Sequence, residues 1–297
     1  MNFKDIVKKH TTIEWRMEPF PHAIIDNFFP QDIFDKISDV TTEEVTDIKR
    51  ENTTSLELNK SEFGLEGSSQ SFRIPVNLMG KEGGTTFFSD VISAEKIITL
   101  ASYDDFYGYY PYHQSTRNGL LGAHVDHSSL DKNFHFANSI FYSHKVWEKE
   151  WKGETILFGR NGMVPKVYIE PKPNRMIFFI HSNQSFHGVN TIKCPEGTTR
   201  NTYYMDYYLA QRDIPELREN IKNMGYSRSL NWTYHPTTFI PFFPLGMGSF
   251  TTKGLKESIK YLKSYVAYLF FRINTISKLR FRYFDQIRNL KKKLSNQ

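Results

Sequence analysis

One constellation in this chain has metal chemistry in it: His124-Val125-Asp126, then His187 sixty-one residues beyond Asp126, then Arg200 thirteen residues further on. Two imidazoles and one carboxylate are the donor set that holds a non-haem Fe(II) on one face and leaves three positions open for substrates. An arginine beside such a site suits a dicarboxylate, because its planar fork binds an anion through two parallel N–H groups. Each residue taken alone has a plainer reading. With ten histidines in the chain, a His-x-Asp arises by chance and then marks a surface turn. A lone histidine such as His187 is more often a hydrogen-bonded core residue, and a buried arginine is often held in a structural ion pair, here with Glu170 or Asp206.

Position strengthens the conjunction. Residues i and i+2 of a strand share a face, so a strand over 119–126 aims His124 and Asp126 at one ion. The run Arg200-Asn-Thr-Tyr-Tyr-Met-Asp-Tyr-Tyr208 alternates as a strand and turns Arg200 toward the interior that receives residues 202, 204 and 206. His127 points to the opposite face from Asp126 and is left out of the ligand set. His135 and His181 have no partner in the pattern and take the structural reading.

The elements that must position these residues lie between Tyr103 and Leu209. Short apolar or alternating runs at 103–112, 119–125, 136–143, 154–159, 164–170, 175–181, 185–189 and 201–209 are separated by Gly, Pro and Asn clusters. Strands at this spacing with no helical period between them predict an antiparallel sandwich or jelly roll, not a parallel α/β sheet. Upstream, 1–18 reads as a short helix, 19–29 as a strand introduced by prolines, and 30–37 as a helix with proline in its first turn. Residues 41–70 are polar and read as irregular, and 88–101 has the apolar spacing of a helix.

Downstream, 213–224 reads as helical and 231–250 as an aromatic loop packing on the barrel. Apolar residues at Ile259, Leu262, Val266, Leu269, Ile273 and Ile276 alternate by three and four, the pattern of an amphipathic helix. The organisation expected is therefore an N-terminal strand/helix module over 1–102, a β core over 103–210, a helix and aromatic loop over 211–252, and a basic helical tail over 253–297.

With 297 residues, 39% hydrophobic and 15% aromatic, the chain can bury a sizeable core. Its single cysteine, Cys194, excludes an internal disulfide framework and a cysteine zinc cluster. No apolar run of signal-peptide or membrane-spanning length is present, which favours a cytoplasmic location. The net charge of +6 is unevenly placed: residues 253–297 hold twelve Lys/Arg against Glu257 and Asp285, so the remainder is net negative. A basic amphipathic tail suits packing on the barrel or on a second subunit, or a membrane surface with a location peripheral to it, whereas the body gives no reason to expect nucleic acid.

Several pieces standing in one order make the region 19–209 similar to the Fe(II)- and 2-oxoglutarate-dependent oxygenases of the prolyl-4-hydroxylase-like group. They are Pro21-His-Ala-Ile-Ile-Asp-Asn-Phe-Phe29, Tyr110-Pro111, His124-Val-Asp126, Ile140-Phe-Tyr142, Trp151-Lys-Gly-Glu-Thr-Ile-Leu-Phe158, Pro173-Asn-Arg-Met-Ile-Phe-Phe179, Phe186-His-Gly-Val189 and Arg200. The resemblance implies a mainly β fold, a double-stranded β-helix (jelly roll) core with an N-terminal strand/helix module and C-terminal helices. It makes His124, Asp126 and His187 the iron ligands and the catalytic centre. Arg200 becomes the partner of the far carboxylate of 2-oxoglutarate, with Tyr142 on the same carboxylate and Tyr110 lining the cosubstrate pocket.

The cofactors implied are Fe(II), 2-oxoglutarate as cosubstrate and O2. The reaction implied is hydroxylation of a primary substrate coupled to decarboxylation of 2-oxoglutarate to succinate. Hydrogen bonds to the far ring nitrogens of His124 and His187 are expected. One departure stands out, because Trp151-Lys152-Gly153 replaces the commoner Gly-Gly before the glutamate. The substrate is left open among peptidyl proline, a small molecule, a sugar and a lipid-linked glycan. The competing class is a non-catalytic jelly-roll binding protein with a basic tail for a membrane or a partner.

Overall fold

The computed structural model describes residues 6, 13–39, 49–54, 57–65, 68–88, 97–99, 110–126, 129–130, 133–159, 164–181, 185–210 and 233–234. His127, the helix expected over 213–224 and the basic tail over 253–297 lie outside the described residues, as does all but 233–234 of the aromatic loop.

Among the described residues, thirteen strands form one sheet. In chain order they are β1 (His22–Ile25), β2 (Lys49–Thr54), β3 (Glu57–Phe63), β4 (Ile97–Thr99), β5 (Tyr112–Val125), β6 (Ser129–Leu130), β7 (Asn133–Tyr142), β8 (Thr155–Phe158), β9 (Pro165–Ile169), β10 (Met176–Ile180), β11 (His187–Val189), β12 (Arg200–Ala210) and β13 (Thr233–Tyr234). The main path runs β1-β10-β7-β12-β5-β11-β8-β9, and every pairing is antiparallel. β5 turns the corner. Its first half pairs with β12 on one side and β3 on the other, and its second half pairs with β11. The sheet thereby curls into the mainly β jelly roll that the strand spacing predicts.

Outside this curl lies a layer of helices, α1 (Gln31–Ser38), α2 (Gln70–Met79) and α3 (Lys81–Phe88). α1 starts after Pro30 as the proline position predicts, and Ser69 caps α2 by accepting the Phe72 N–H at 3.2 Å. Phe28, Phe34, Phe72, Phe87 and Phe88 from this layer meet Phe141, Phe178, Tyr203 and Tyr207 from the sheet in one buried cluster. The entry segment is clasped to the core by Asn174, whose side chain accepts from Phe29 N at 2.9 Å and donates to Phe29 O at 2.8 Å.

Three expectations are corrected. Residues 41–70 are not irregular, because 49–54 and 57–63 form a hairpin whose second strand pairs with β5. The polar residues that hid it suit the edge of the sheet, where one face needs no apolar cover. The helix expected over 88–101 is corrected at 97–99, which form a strand on β12, while α3 runs from Lys81 to Phe88 and 89–96 lie outside the described residues. α3 was obscured by Gly83 and Gly84, poor helix formers. Gly84 is there for packing, since a Cβ on it would stand 2.5 Å from Tyr207 Cδ1. Finally, the run 119–125 belongs to a longer strand, β5, that begins at Tyr112, whereas 103–109 of the run expected over 103–112 lie outside the described residues.

Candidate metal and cosubstrate site

Direct partners across antiparallel strands put their side chains on the same face, and this places the site. Arg200 lies opposite Ser115, Thr202 opposite His113 and Tyr142, Tyr204 opposite Ile140, and Asp206 opposite Asn138. Their alternates Tyr203, Met205, Tyr207 and Leu209 belong to the cluster under the helices. Positions 200, 202, 204 and 206 therefore face the barrel interior, as their alternation predicts.

His187 on β11 is the direct partner of His124 on β5. Asp126 follows β5 immediately and lies between them, its Oδ1 3.3 Å from His124 Nε2 and its Oδ2 3.6 Å from His187 Nε2. The three residues are buried, and their ligand atoms all lie within 4.8 Å of one another. Donors bound about 2.1 Å from one ion stand roughly 3 Å apart, so small movements would close this set on a metal. The far nitrogens are occupied as expected: Nδ1 of His124 bonds Gly122 O at 2.7 Å and Nδ1 of His187 bonds Ser185 O at 2.9 Å. A carbonyl accepts only, so each Nδ1 carries the proton and each Nε2 presents a lone pair.

Burial, reinforced by neighbouring His124, pushes His187 down to about 4, which keeps it a neutral imidazole near pH 7, the form that binds metal. Burial alone would raise Asp126, but His187 and His124 outweigh it and hold the carboxyl well below its usual range. Charge and tautomer thus both fit a divalent ion.

Arg200 occupies the other end of the interior. Its Nε donates to Gly153 O at 3.0 Å, and one terminal nitrogen donates to Thr155 Oγ1 at 3.1 Å and Tyr142 Oη at 3.3 Å. The guanidinium carbon lies 4.9 Å from the centre of the Tyr142 ring. Among the described residues no carboxylate forms an ion pair with it: Glu170 pairs with Lys172 and Asp206 with His135. A buried cation without a carboxylate is costly, and the arrangement suits an anionic ligand. Tyr142, whose hydroxyl also meets Thr155 Oγ1 at 2.7 Å, shares this corner. Tyr110 meets the interior through its carbonyl, which accepts from His113 Nε2 at 2.9 Å.

Gly153 explains part of this corner. It has φ +76, and a Cβ there would lie 3.0 Å from Ile192 Cγ1, 3.2 Å from Trp147 Cζ2 and 3.4 Å from Arg200 Cδ. Lys152, standing where the commoner pattern has glycine, also takes a positive φ of 57. Gly153→Ala is expected to cost about 1–3 kcal/mol of stability through backbone strain and crowding. It should also weaken binding of an anion at Arg200 by shifting the Gly153 carbonyl. Thermal melting and cosubstrate titration check both effects, and an unchanged melting temperature would overturn them.

Residues that spacing did not reveal complete the wall beyond Asp126. Asn138 Nδ2 donates to Asp126 Oδ2 at 3.1 Å and Asp206 Oδ1 at 2.7 Å and also meets the Tyr204 hydroxyl. His135, His181 and Tyr208 form a stack, with ring centres 4.3 Å apart at 11° and 5.0 Å apart at 17°. His135 and His181 thus pack in the wall as the structural reading expects, and their ring nitrogens also come within 4.8 Å of a carboxylate oxygen of Asp126.

Buried neutral histidines make the apoprotein acid-sensitive. His144 is the clearest case: its Nε2–H donates to Pro171 O at 2.6 Å and its Nδ1 accepts from Asn201 N at 3.3 Å. Burial pushes it down to about 4, and burial with the Lys60 charge takes His113 to about 3. The folded values lie below the unfolded value near 6.5. Stability is then fully present above pH 6.5 and is lost as pH falls toward 4, where the unfolded chain binds protons the folded one refuses. The loss expected from His144 is roughly 3 kcal/mol. Urea denaturation of metal-free protein at pH 7.5 and 4.5 checks it, and equal midpoints would refute it.

Residues 108–205 match the family model described as the 2OG-Fe(II) oxygenase superfamily. No curated protein matches the chain. Among solved structures, the viral collagen prolyl hydroxylase of Paramecium Bursaria Chlorella virus-1 in its 2-oxoglutarate complex is similar at 16% identity and TM-score 0.42, over 64% of this chain and 96% of that one. A Pseudomonas putida prolyl-4-hydroxylase is similar at 12% identity and TM-score 0.42, over 71% and 99%. HygX from Streptomyces hygroscopicus, with nickel and 2-oxoglutarate bound, is similar at 11% identity and TM-score 0.42, over 78% and 96%.

Proposed function

We propose that this chain, which belongs through residues 108–205 to the 2OG-Fe(II) oxygenase superfamily, hydroxylates a primary substrate while converting 2-oxoglutarate to succinate. As a member it uses Fe(II), 2-oxoglutarate and O2. In this reading His124, Asp126 and His187 hold the iron, and Arg200 receives the far carboxylate of 2-oxoglutarate with Tyr142 beside it. Thr155 joins them as a further hydroxyl on that anion. Tyr110 is assigned to the cosubstrate pocket as a lining residue. The observation that carries the reading is the pairing of two buried corners. One holds two Nε2 atoms around a single carboxylate. The other holds a buried guanidinium whose described partners are a carbonyl and two hydroxyls.

When bound, iron supplies the O2 activation that amino-acid side chains lack. The chain's own part is orientation and charge. The Gly122 and Ser185 carbonyls fix the two imidazoles in one tautomer and aim. Arg200 neutralises one end of a dicarboxylate, and its bonds to Gly153 O and Thr155 hold the fork in place before the ligand arrives. The Leu157, Ile177 and Phe179 side chains, packed with Tyr142, bury this interior against bulk water.

The test is succinate formation from 2-oxoglutarate by anaerobically prepared, Fe(II)-loaded protein on admitting O2. About one iron per chain and O2-dependent succinate are expected. A protein that binds neither Fe(II) nor 2-oxoglutarate would return the chain to the competing class of a non-catalytic jelly-roll binder.

A further inference from the structure

The three residues of the iron corner come from β5, the position just after it, and β11, and part of the wall that meets them is built from β12, β7 and β10. One row of that wall, read across direct partners, is Asp206, Asn138, Phe179. Partners in a row share a face, so all three point to the barrel interior. Two of them touch the corner. The Phe179 ring lies 4.7 Å from that of His187, and Asn138 Nδ2 donates to Asp126 Oδ2 at 3.1 Å.

Three oxygens fix Asn138 in this aim. Its Nδ2 shares its N–H groups among Asp126 Oδ2, Asp206 Oδ1 at 2.7 Å and the Tyr204 hydroxyl. Tyr204 in turn donates to Asp126 Oδ2 at 3.5 Å, so this one carboxylate oxygen meets two donors from the wall. Asp206 is itself held, because His135 Nε2 lies 3.2 Å from its Oδ1 and the Tyr208 hydroxyl donates to its Oδ2 at 3.4 Å. A chain of contacts thus runs from the stacked rings through Asp206 and Asn138 to Asp126.

The amide stands this way round at a cost. Asn138 is fully buried, and its Oδ1 has no hydrogen-bond partner among the described residues, a state that native interiors seldom keep without a reason. Turned over, the amide would set that oxygen against two carboxylates. A side chain placed for stability alone would be satisfied on both ends or apolar. This one is arranged for what its N–H groups hold. The terminal torsion of an aspartate is broad and soft, and donors on Oδ2 remove that freedom while Oδ1 stands 3.3 Å from His124 Nε2.

A second metal ion does not account for the cluster, although Asp126, His135 and His181 fall within ligand distance of one another. A metal lies close to the plane of each imidazole it binds, and two rings stacked 4.3 Å apart at 11° have no common plane in which to place one.

We propose that Asn138 is the positioning residue of the iron corner: it holds the Asp126 carboxylate in its metal-binding aim, and Asp206 acts on the corner through it. The inference rests on the functional reading above and adds to the ligand set the residue that aims it.

The experiment uses the full chain and Co(II) alone, an air-stable stand-in for Fe(II). Wild-type chain should bind about one ion with His124, Asp126 and His187. Asn138→Ala should weaken Co(II) binding about 10- to 100-fold, the usual effect of removing the partner of a metal ligand. At saturating Co(II) its visible absorption should differ from that of wild type, which a loss of stability alone would not produce. Asp206→Ala should weaken binding too, and Asn138→Ala/Asp206→Ala should bind no more weakly than Asn138→Ala, because residues acting in series are not additive. Wild-type affinity and spectrum in Asn138→Ala, or full additivity in the double variant, overturns the proposal. Where circular dichroism shows Asn138→Ala to be unfolded, Asp206→Ala decides, and wild-type Co(II) affinity in that variant overturns it. A wild-type chain that binds no Co(II) would instead overturn the functional reading.

Discussion

Asp126→Ala is expected to empty the iron corner, lowering metal affinity by at least about 100-fold and abolishing O2-dependent succinate formation with it. The bound is set from below, because removing a mere partner of a metal ligand already costs about 10- to 100-fold. Asp126 faces both Nε2 atoms, at 3.3 and 3.6 Å, and carries the only negative charge in the three-residue set. Without it two imidazoles remain, and His187 loses the carboxylate that offsets part of its burial. Asn138 loses one acceptor but keeps Asp206, so the variant should fold. Metal analysis after dialysis against micromolar Fe(II) or Co(II), with circular dichroism as the control for folding, gives the measurement. A folded variant that retains wild-type metal would remove Asp126 from the ligand set.

This corner was legible in the sequence because local rules dictate it. His124 and Asp126 sit two apart, and a strand must turn both the same way; the alternation from Arg200 to Tyr208 likewise assigned a face to each residue before any fold was known. Chain-distant relations were less readable. That His187 lands directly opposite His124 depends on the β5–β11 register, and that Asn138 meets Asp206 depends on the β7–β12 register. Neither register has a local signal. His135 and His181 were passed over for this reason, being forty-six residues apart in the chain and stacked in space. The hairpin at 49–63 and the helices at 70–88 were missed where tertiary needs override propensity. The polar β2–β3 hairpin is accepted at the border of the sheet, with β3 next to β5, and Gly84 sits in a helix because Tyr207 leaves no room for a side chain.

Arg200→Ala should act on the cosubstrate and spare the metal. Two charge-assisted hydrogen bonds to a carboxylate are lost, each worth about 1.5–3 kcal/mol, and water fills only part of the gap. An increase of at least about 10- to 100-fold in the apparent KM for 2-oxoglutarate follows, with iron content near that of wild type. Arg200→Lys is not expected to rescue it. The seat is built for a planar fork, with Nε on Gly153 O and a terminal nitrogen shared between Thr155 and Tyr142, and one ammonium cannot reach all of these while facing an anion. Some stability will be lost too, because Gly153 O and the Tyr142–Thr155 pair lose a donor. Folding is therefore controlled by a melt, and affinity is read separately from turnover. The comparison with Asp126→Ala is what decides: one variant should lose metal, and the other should keep metal and lose 2-oxoglutarate. If both lose the metal alike, the two corners are one structural unit and the division of roles between them is wrong.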